Sequence, residues 1–223
     1  MFSAIFEVHP KQEKFDLYLD LAKNLRPVLE GIDGFIDNER FESIRRPGWI
    51  LSHSTWRDEK SVVRWRTVGL HHETQQRGRD EVFHDYHLRV GEIVKDTAPP
   101  AGTAIVEQRL DETEVGAAKF ATLTEVASSV TAAALPDWLA LDRQQGNLVE
   151  YDVFASIYNE GKLALLASWR NRHAADNFGS PQRAGVRHRV VRVVRDYGMF
   201  DRRESPQYYP EIQTNPASAP GNR

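Results

Sequence analysis

Cysteine is absent from the 223 residues, which excludes disulfides, thiolate metal sites and cysteine nucleophiles. Long apolar runs are absent too, and none approaches the span of about 20 residues that a membrane helix needs. Charge of one sign is also missing. Lys and Arg number 29 against 32 Asp and Glu, a net of −3, and the signs are mixed along the chain, so there is no general electrostatic footprint for nucleic acid. The opening Met-Phe-Ser-Ala-Ile-Phe-Glu-Val-His-Pro has neither the basic start nor the apolar core of a secretory leader. It reads as a first strand, and a cytoplasmic location is the expectation. No P-loop, dinucleotide glycine motif or Gly-x-Ser-x-Gly occurs, so nucleotide and serine-hydrolase chemistry have no foothold.

Periodicity organises what is present. Ser3 to Val8 predicts a strand ending at Pro10. From Lys11 the period changes: Phe15, Tyr18, Leu19, Ala22, Leu25 and Leu29 recur at helical spacing. Pro27 is expected to distort or shorten the last turns of that helix. Phe35 to Ser43 and Trp49 to Trp56 are extended runs joined across Pro47-Gly48, a hairpin signal. Asp58 is a good N-cap for a helix through Arg66. A polar helical piece with His71, His72 and Arg77-Gly78-Arg79 follows, then a strand from Tyr86 to about Val94. The order is βαββαβ, the ferredoxin-like unit.

Ala98-Pro99-Pro100-Ala101-Gly102 marks the boundary, after which the pattern starts again. Expected there are a strand over Thr103 to Leu110, an Ala-rich helix near Leu123 to Leu135 and an alternating strand from Leu148 to Tyr158. A partner strand over Leu163 to Trp169, a short helix over His173 to Phe178 and a valine-rich strand over His188 to Arg195 complete the set. Ser54-Thr55-Trp56-Arg57 and Ala167-Ser168-Trp169-Arg170 match in kind and place, and nine residues beyond each Trp stands an aromatic residue, Trp65 or Phe178. These matches fall in one order, which favours two related units. The division expected is 1–97, a degenerate 103–203 lacking most of the counterpart of Val68 to Phe83, and a mobile tail over 204–223 rich in Pro, Ser and Asn.

Three stretches carry a family resemblance. They are Tyr18-Leu-Asp-Leu-Ala-Lys through Gly34-Phe35-Ile36 and Glu39-Arg40-Phe41; Trp56-Arg57-Asp58-Glu59 through Trp65-Arg66; and His71 through Gly78-Arg79. Together they resemble the antibiotic biosynthesis monooxygenase superfamily, with the second half similar chiefly from Val149 to Met199. The resemblance implies an α+β fold of two ferredoxin-like repeats that close a dimeric α+β barrel within one chain, a pseudo-dimer free to pair further as a homodimer. It also implies oxygenation of a flat aromatic or quinol-type small molecule without a bound cofactor. Haem binding or degradation is the alternative within that resemblance, and a non-catalytic small-molecule binding protein the alternative outside it.

The same resemblance places Trp65 beside the ligand and His71 near the family's histidine, where it would act as a general base or ligate haem iron, with His72 as the adjacent choice. Trp65 reads equally well as a core anchor. Haem-degrading relatives keep an Asn on the first strand, and Ser3 and its neighbours offer none. Tyr18, Arg40 and His53 are candidate polar groups for a pocket wall, with the sheet face that meets the helices left open. Arg45, Arg46, Arg192 and Arg195 read as solvated or tail-pairing and not as nucleic-acid contacts, given the balanced charge around them. His84 and His87, three apart on a strand, face opposite sides and do not suggest a shared metal.

Overall fold

The computed structural model describes residues 1–127, 129–179 and 184–206. Its first unit comprises β1 (Phe2–Pro10), α1 (Phe15–Glu30), β2 (Phe35–Ser43), β3 (Ile50–Trp56), α2 (Glu59–Thr67), α3 (Gly69–Arg77) and β4 (Phe83–Asp96), with one π turn, Gly78–Val82, leading into β4. The second unit repeats the order with shorter helices: β5 (Phe120–Ala127), α4 (Leu135–Trp138), β6 (Leu148–Ser156), β7 (Lys162–Trp169), α5 (Arg172–Asn177) and β8 (Val186–Gly198). The fold is α+β, and both units are ferredoxin-like.

All strand pairs are antiparallel and the sheet closes in the order β1-β3-β2-β6-β7-β5-β8-β4. Each unit's own order is fourth-first-third-second. The units join at two equivalent seams, β2 against β6 and β4 against β8. Closure of this kind leaves no free edge in either four-stranded sheet. Among the described residues no helix is long and apolar enough to cross a membrane.

Alternation along each strand sorts side chains between the barrel interior and the helix-covered outer face. Ile5, Leu51, Phe41, Leu123, Phe154 and Val193 are among the apolar residues that meet inside. Around them lie ionic networks of low exposure. Arg89, 1% exposed, pairs with Glu7 and, at 3.2 Å, with Glu150. Arg189, also 1% exposed, donates to Glu125 at 2.6 Å. Burial alone would push Glu7 and Glu125 up. Their arginine partners outweigh it and hold both carboxylates below their ordinary range, Glu125 at about 2. A buried ion pair stripped of one partner typically costs about 3–5 kcal/mol, so these contacts fix register as well as stability.

Several sequence expectations are corrected. Pro27 does not shorten α1, which runs to Glu30. The carbonyl its missing N–H would have met belongs to Lys23, on an exposed stretch where water can serve it. Thr103 to Leu110 is not a strand. Its backbone is satisfied by side chains instead: Gln108 and Arg109 N–H donate to Glu92 at 2.6 and 3.1 Å, while Arg192 donates to the Arg109 carbonyl. The strand expected there lies at Phe120–Ala127, overlapping the start of the Ala-rich stretch from Leu123 to Leu135 expected to be helical, and the helix itself is confined to Leu135–Trp138. Arg46 and Arg192 are not solvated charges; they pair with Glu7 and Asp152, and with Glu92. Of the tail, Glu204 is held by the Thr113 hydroxyl and by the N–H groups of Glu114, Val115 and Asp196. Residues 207–223 lie outside the described residues.

Two outcomes follow from closure and burial. Expressed alone, residues 1–97 should form oligomers or aggregate, because cutting the seams bares the edges of β2 and β4 and the apolar interior; sedimentation of a soluble, folded monomer would contradict this. The second concerns His188, whose ring accepts or donates at Thr124 Oγ1 over 2.8 Å and whose pKa burial lowers to about 4. The unfolded side chain titrates near 6.5, so below that pH the unfolded chain takes a proton the folded one refuses. Stability is therefore full above about pH 6.5 and falls as pH drops toward 4, by roughly 2 kcal/mol at pH 5 from this one group. Urea melts at pH 7 and pH 5 should show the loss, and His188→Gln should diminish it.

Candidate functional site

A cavity of about 220 Å³ lies between the helices of the first unit and the outer face of the sheet. Its floor is two rows of side chains that the strand registers align across five strands. One row reads Arg40, Ser52, Phe6, Leu88, Tyr197 from β2 to β8; the next reads Asn38, Ser54, Ala4, Val90, Arg195. Each row is polar at the β2 end, small or apolar in the middle and polar again at β8. The last strand belongs to the second unit, so the cavity of one unit is completed by the other. Arg202, Ser205 and Pro206 close the same side, with Arg202 donating to the Tyr86 hydroxyl and, at 2.6 Å, to Ser205 Oγ.

The roof comes from the amphipathic faces of α1 and α2, with Leu21, Leu25, Leu29 and Val62 turned to the cavity, and from the polar α3. Asp58 caps α2, accepting from Ser61 N–H at 2.8 Å, which sets the helix that carries Trp65. From α3, His71 folds back on Trp65. The rings are stacked, with centroids 3.9 Å apart and planes 16° from parallel. His71 Nδ1 meets the Trp65 carbonyl at 2.9 Å. A carbonyl only accepts, so Nδ1 carries the proton and Nε2 keeps the lone pair. Burial lowers the ring's pKa to about 4, outweighing the opposite pull of the carbonyl. His71 is thus neutral at working pH, locked in one tautomer and fixed in orientation.

Electrostatics give the cavity a sign. Arg40, Arg66, Arg79 and Arg195 line it, and among the described residues none of them is in an ion pair with a side-chain carboxylate within 4.0 Å. The lining carboxylate, Glu59, is committed to Arg109 at 2.6 Å. The chain as a whole is weakly acidic, so this positive wall is local and suits an anionic ligand.

Of the residues read from sequence, Trp65, His71, Tyr18 and Arg40 meet around this one cavity. His72, the next residue on α3, is not part of the lining. His53 does not reach it at all: it points into the barrel, 2% exposed, with Nε2 2.8 Å from the Ser3 hydroxyl, and burial drives its pKa down to about 3. Odd-numbered residues of β3 face inward, and that parity could not be set from sequence. Asn38, Tyr197 and Arg195 were missed as wall residues. Their signal was the two-residue spacing from Arg40 and between each other, which is meaningful only once the outer face is known. Trp65 is corrected in one respect, because one of its faces is covered by His71 and not left for a ligand.

The model of the antibiotic biosynthesis monooxygenase family matches residues 1–77. Jasmonate monooxygenase ABM of Pyricularia oryzae is 43% identical over 218 residues, 94% of this chain and 99% of that protein. The chain belongs to the antibiotic biosynthesis monooxygenase family. Solved structures similar to this family member include an anthrone oxidase-like protein, 10% identical with 92% of this chain and 96% of that one covered at a TM-score of 0.37. A conserved protein from Methanosarcina mazei Go1 is 17% identical, with 40% of this chain and 88% of that one covered at a TM-score of 0.38.

The stacked pair in this monooxygenase-family cavity makes a direct spectroscopic prediction. In an NMR titration the His71 ring should stay neutral down to about pH 4, and Trp65→Ala, which lets water reach the ring, should move its midpoint toward 6.5. An unmoved midpoint would show that other walls, not the indole, exclude water from the imidazole.

Proposed function

We propose that the chain is a cytoplasmic monooxygenase acting, without a bound cofactor, on a small, largely apolar cyclic molecule that carries a carboxylate, jasmonate being the example that its 43% identical relative is named for. The observation that carries the reading is an apolar cavity whose cations have no carboxylate partners and whose one neutral imidazole is locked as an acceptor. Jasmonate is a cyclic ketone with a single carboxylate, so it offers both an anion for an arginine and a C–H made acidic by a carbonyl.

Chemistry at such a centre follows from what the residues can do. His71 Nε2, unprotonated at neutral pH, accepts a proton from an activated C–H, and the resulting carbanion is stabilised by its own carbonyl and by the surrounding cations. A substrate anion of this kind can give electrons to dioxygen directly. At a CH₂ centre the balance closes without an added reductant: the hydroperoxide formed loses water and leaves a carbonyl, one oxygen atom going to product and one to water. The apolar roof of Leu21, Leu25 and Val62 excludes bulk water from these steps.

A flat aromatic or quinol-type substrate is the second reading, supported by the half-buried Trp65 in an apolar wall. Haem is the cofactor that the resemblance brings with it, and the residues here do not fit it. His71 keeps its Nε2 lone pair, but its ring lies stacked on the indole face against which a macrocycle would need to stack. On β1 it is Ala4 that faces the cavity, while Ser3 bonds His53 inside the barrel.

Oxygen uptake with jasmonic acid and with a reduced quinol, measured beside product mass, tests the proposal. Purified protein should consume oxygen and add one oxygen atom to at least one of them, and His71→Gln should lower kcat by about 10²-fold or more. Since the neutral ring is the active form, activity should persist below pH 6.5 and be lost only as the pH falls through about 4. Binding without oxygen consumption would leave a carrier, not an enzyme.

A further inference from the structure

We propose that Arg40 is the residue that selects an acid over its ester, holding the substrate carboxylate against the β2 end of the cavity floor with the Tyr18 hydroxyl beside it. The inference rests on the carboxylate reading of the cavity given above. Among the cations of the wall, Arg40 is distinguished by three observations. Its Nε is buried and has no hydrogen-bond partner, so part of its donor capacity is left unused by the protein. Its backbone is pinned from both sides, by the ladder to Ser52 and by the Ile157 N–H donating to its carbonyl at 3.0 Å. Its guanidinium lies beside the buried Tyr18 hydroxyl, whose pKa burial raises and Arg40 partly pulls back, and its terminal N–H groups are left for a planar two-oxygen acceptor.

The other cations are placed differently. Arg66 and Arg79 reach in from α2 and the π turn after α3. Arg202 is already engaged with Tyr86 and Ser205. Arg195 stands at the β8 end of the neighbouring row, four strands from Asn38. With adjacent strands about 4.8 Å apart, that is roughly 19 Å of backbone across the floor, so Arg195 is rooted at the opposite end of the site from Arg40. Asn38 adds polarity beside Arg40 but its amide is occupied, donating to Ser52 Oγ at 3.2 Å and to the His53 carbonyl at 2.8 Å. The anchor is therefore a single strand-borne arginine in a site otherwise suited to an apolar body.

Affinity of the full chain for jasmonic acid and for its methyl ester, read by tryptophan fluorescence and calorimetry, tests this. Wild type should bind the acid at least tenfold more tightly than the ester. Arg40→Met should lose that preference while keeping ester affinity within about threefold, and Arg40→Lys should recover part of it, because a point charge replaces the fork. Equal binding of acid and ester by wild type overturns the assignment without any variant, and so does loss of preference in Arg195→Met with Arg40→Met unaffected. The two proposals fail separately. Arg40-dependent acid binding with no oxygen uptake supports the anchor and removes the enzyme, whereas oxidation with equal affinity for acid and ester supports the enzyme and removes the anchor.

Discussion

Closure of the sheet is the constraint on which the rest depends. A four-stranded ferredoxin-like sheet has two faces and two edges, and one pair of helices covers only one face. Here the remaining faces meet inside the barrel, and both edges of each unit are consumed at the β2–β6 and β4–β8 seams. The interior that results is not uniformly apolar. Ile5, Leu51, Phe41 and Leu123 form a packed belt, while Arg89, Arg189, Glu7 and Glu125 sit in the same enclosed space, each charge answered by another. Unpaired charges would be intolerable there, so the ionic contacts also exclude registers that would separate them.

Because closure occupies the interior, any ligand cavity has to lie outside the barrel, between sheet and helices. The two units differ in what they can offer. In the first, α1 spans Phe15–Glu30 and α2, α3 and the π turn follow one another before β4, and the cavity opens beneath them. In the second, α4 and α5 are only Leu135–Trp138 and Arg172–Asn177. The corresponding space there is filled by Trp169, Phe178, Leu165 and their neighbours. The second unit nevertheless enters the site through β8, which continues along β4 beyond its pairing with β5 and so delivers Arg195 and Tyr197 to the floor.

His71 shows how a local contact changes the chemistry available to a residue. A histidine on a polar helix would titrate near neutrality. Folded back under Trp65, with its Nδ1 proton on a main-chain carbonyl, it becomes a neutral acceptor over the whole physiological range. The arginines nearby show the complementary effect, since a chain with slight net negative charge places four cations without carboxylate partners on one concave surface.

The sequence by itself determined the element order, because helical and strand periods are written in the spacing of apolar residues such as Phe15, Tyr18, Ala22 and Leu29. It also determined that two like units stand on one chain, through the matched Trp56 and Trp169 and the segments after them, and it brought Trp65 and His71 forward as a pair. It misplaced β5, since Phe120 to Ala127 is short and bounded by residues that serve helix and strand alike. Tertiary structure alone decided which parity of each strand faces the helices, and so separated Arg40, which reaches the cavity, from His53, which is sealed in the barrel. A period of two names two faces without saying which is covered. That choice is made by the seams, which bury one face of all eight strands together and leave the other to the helices.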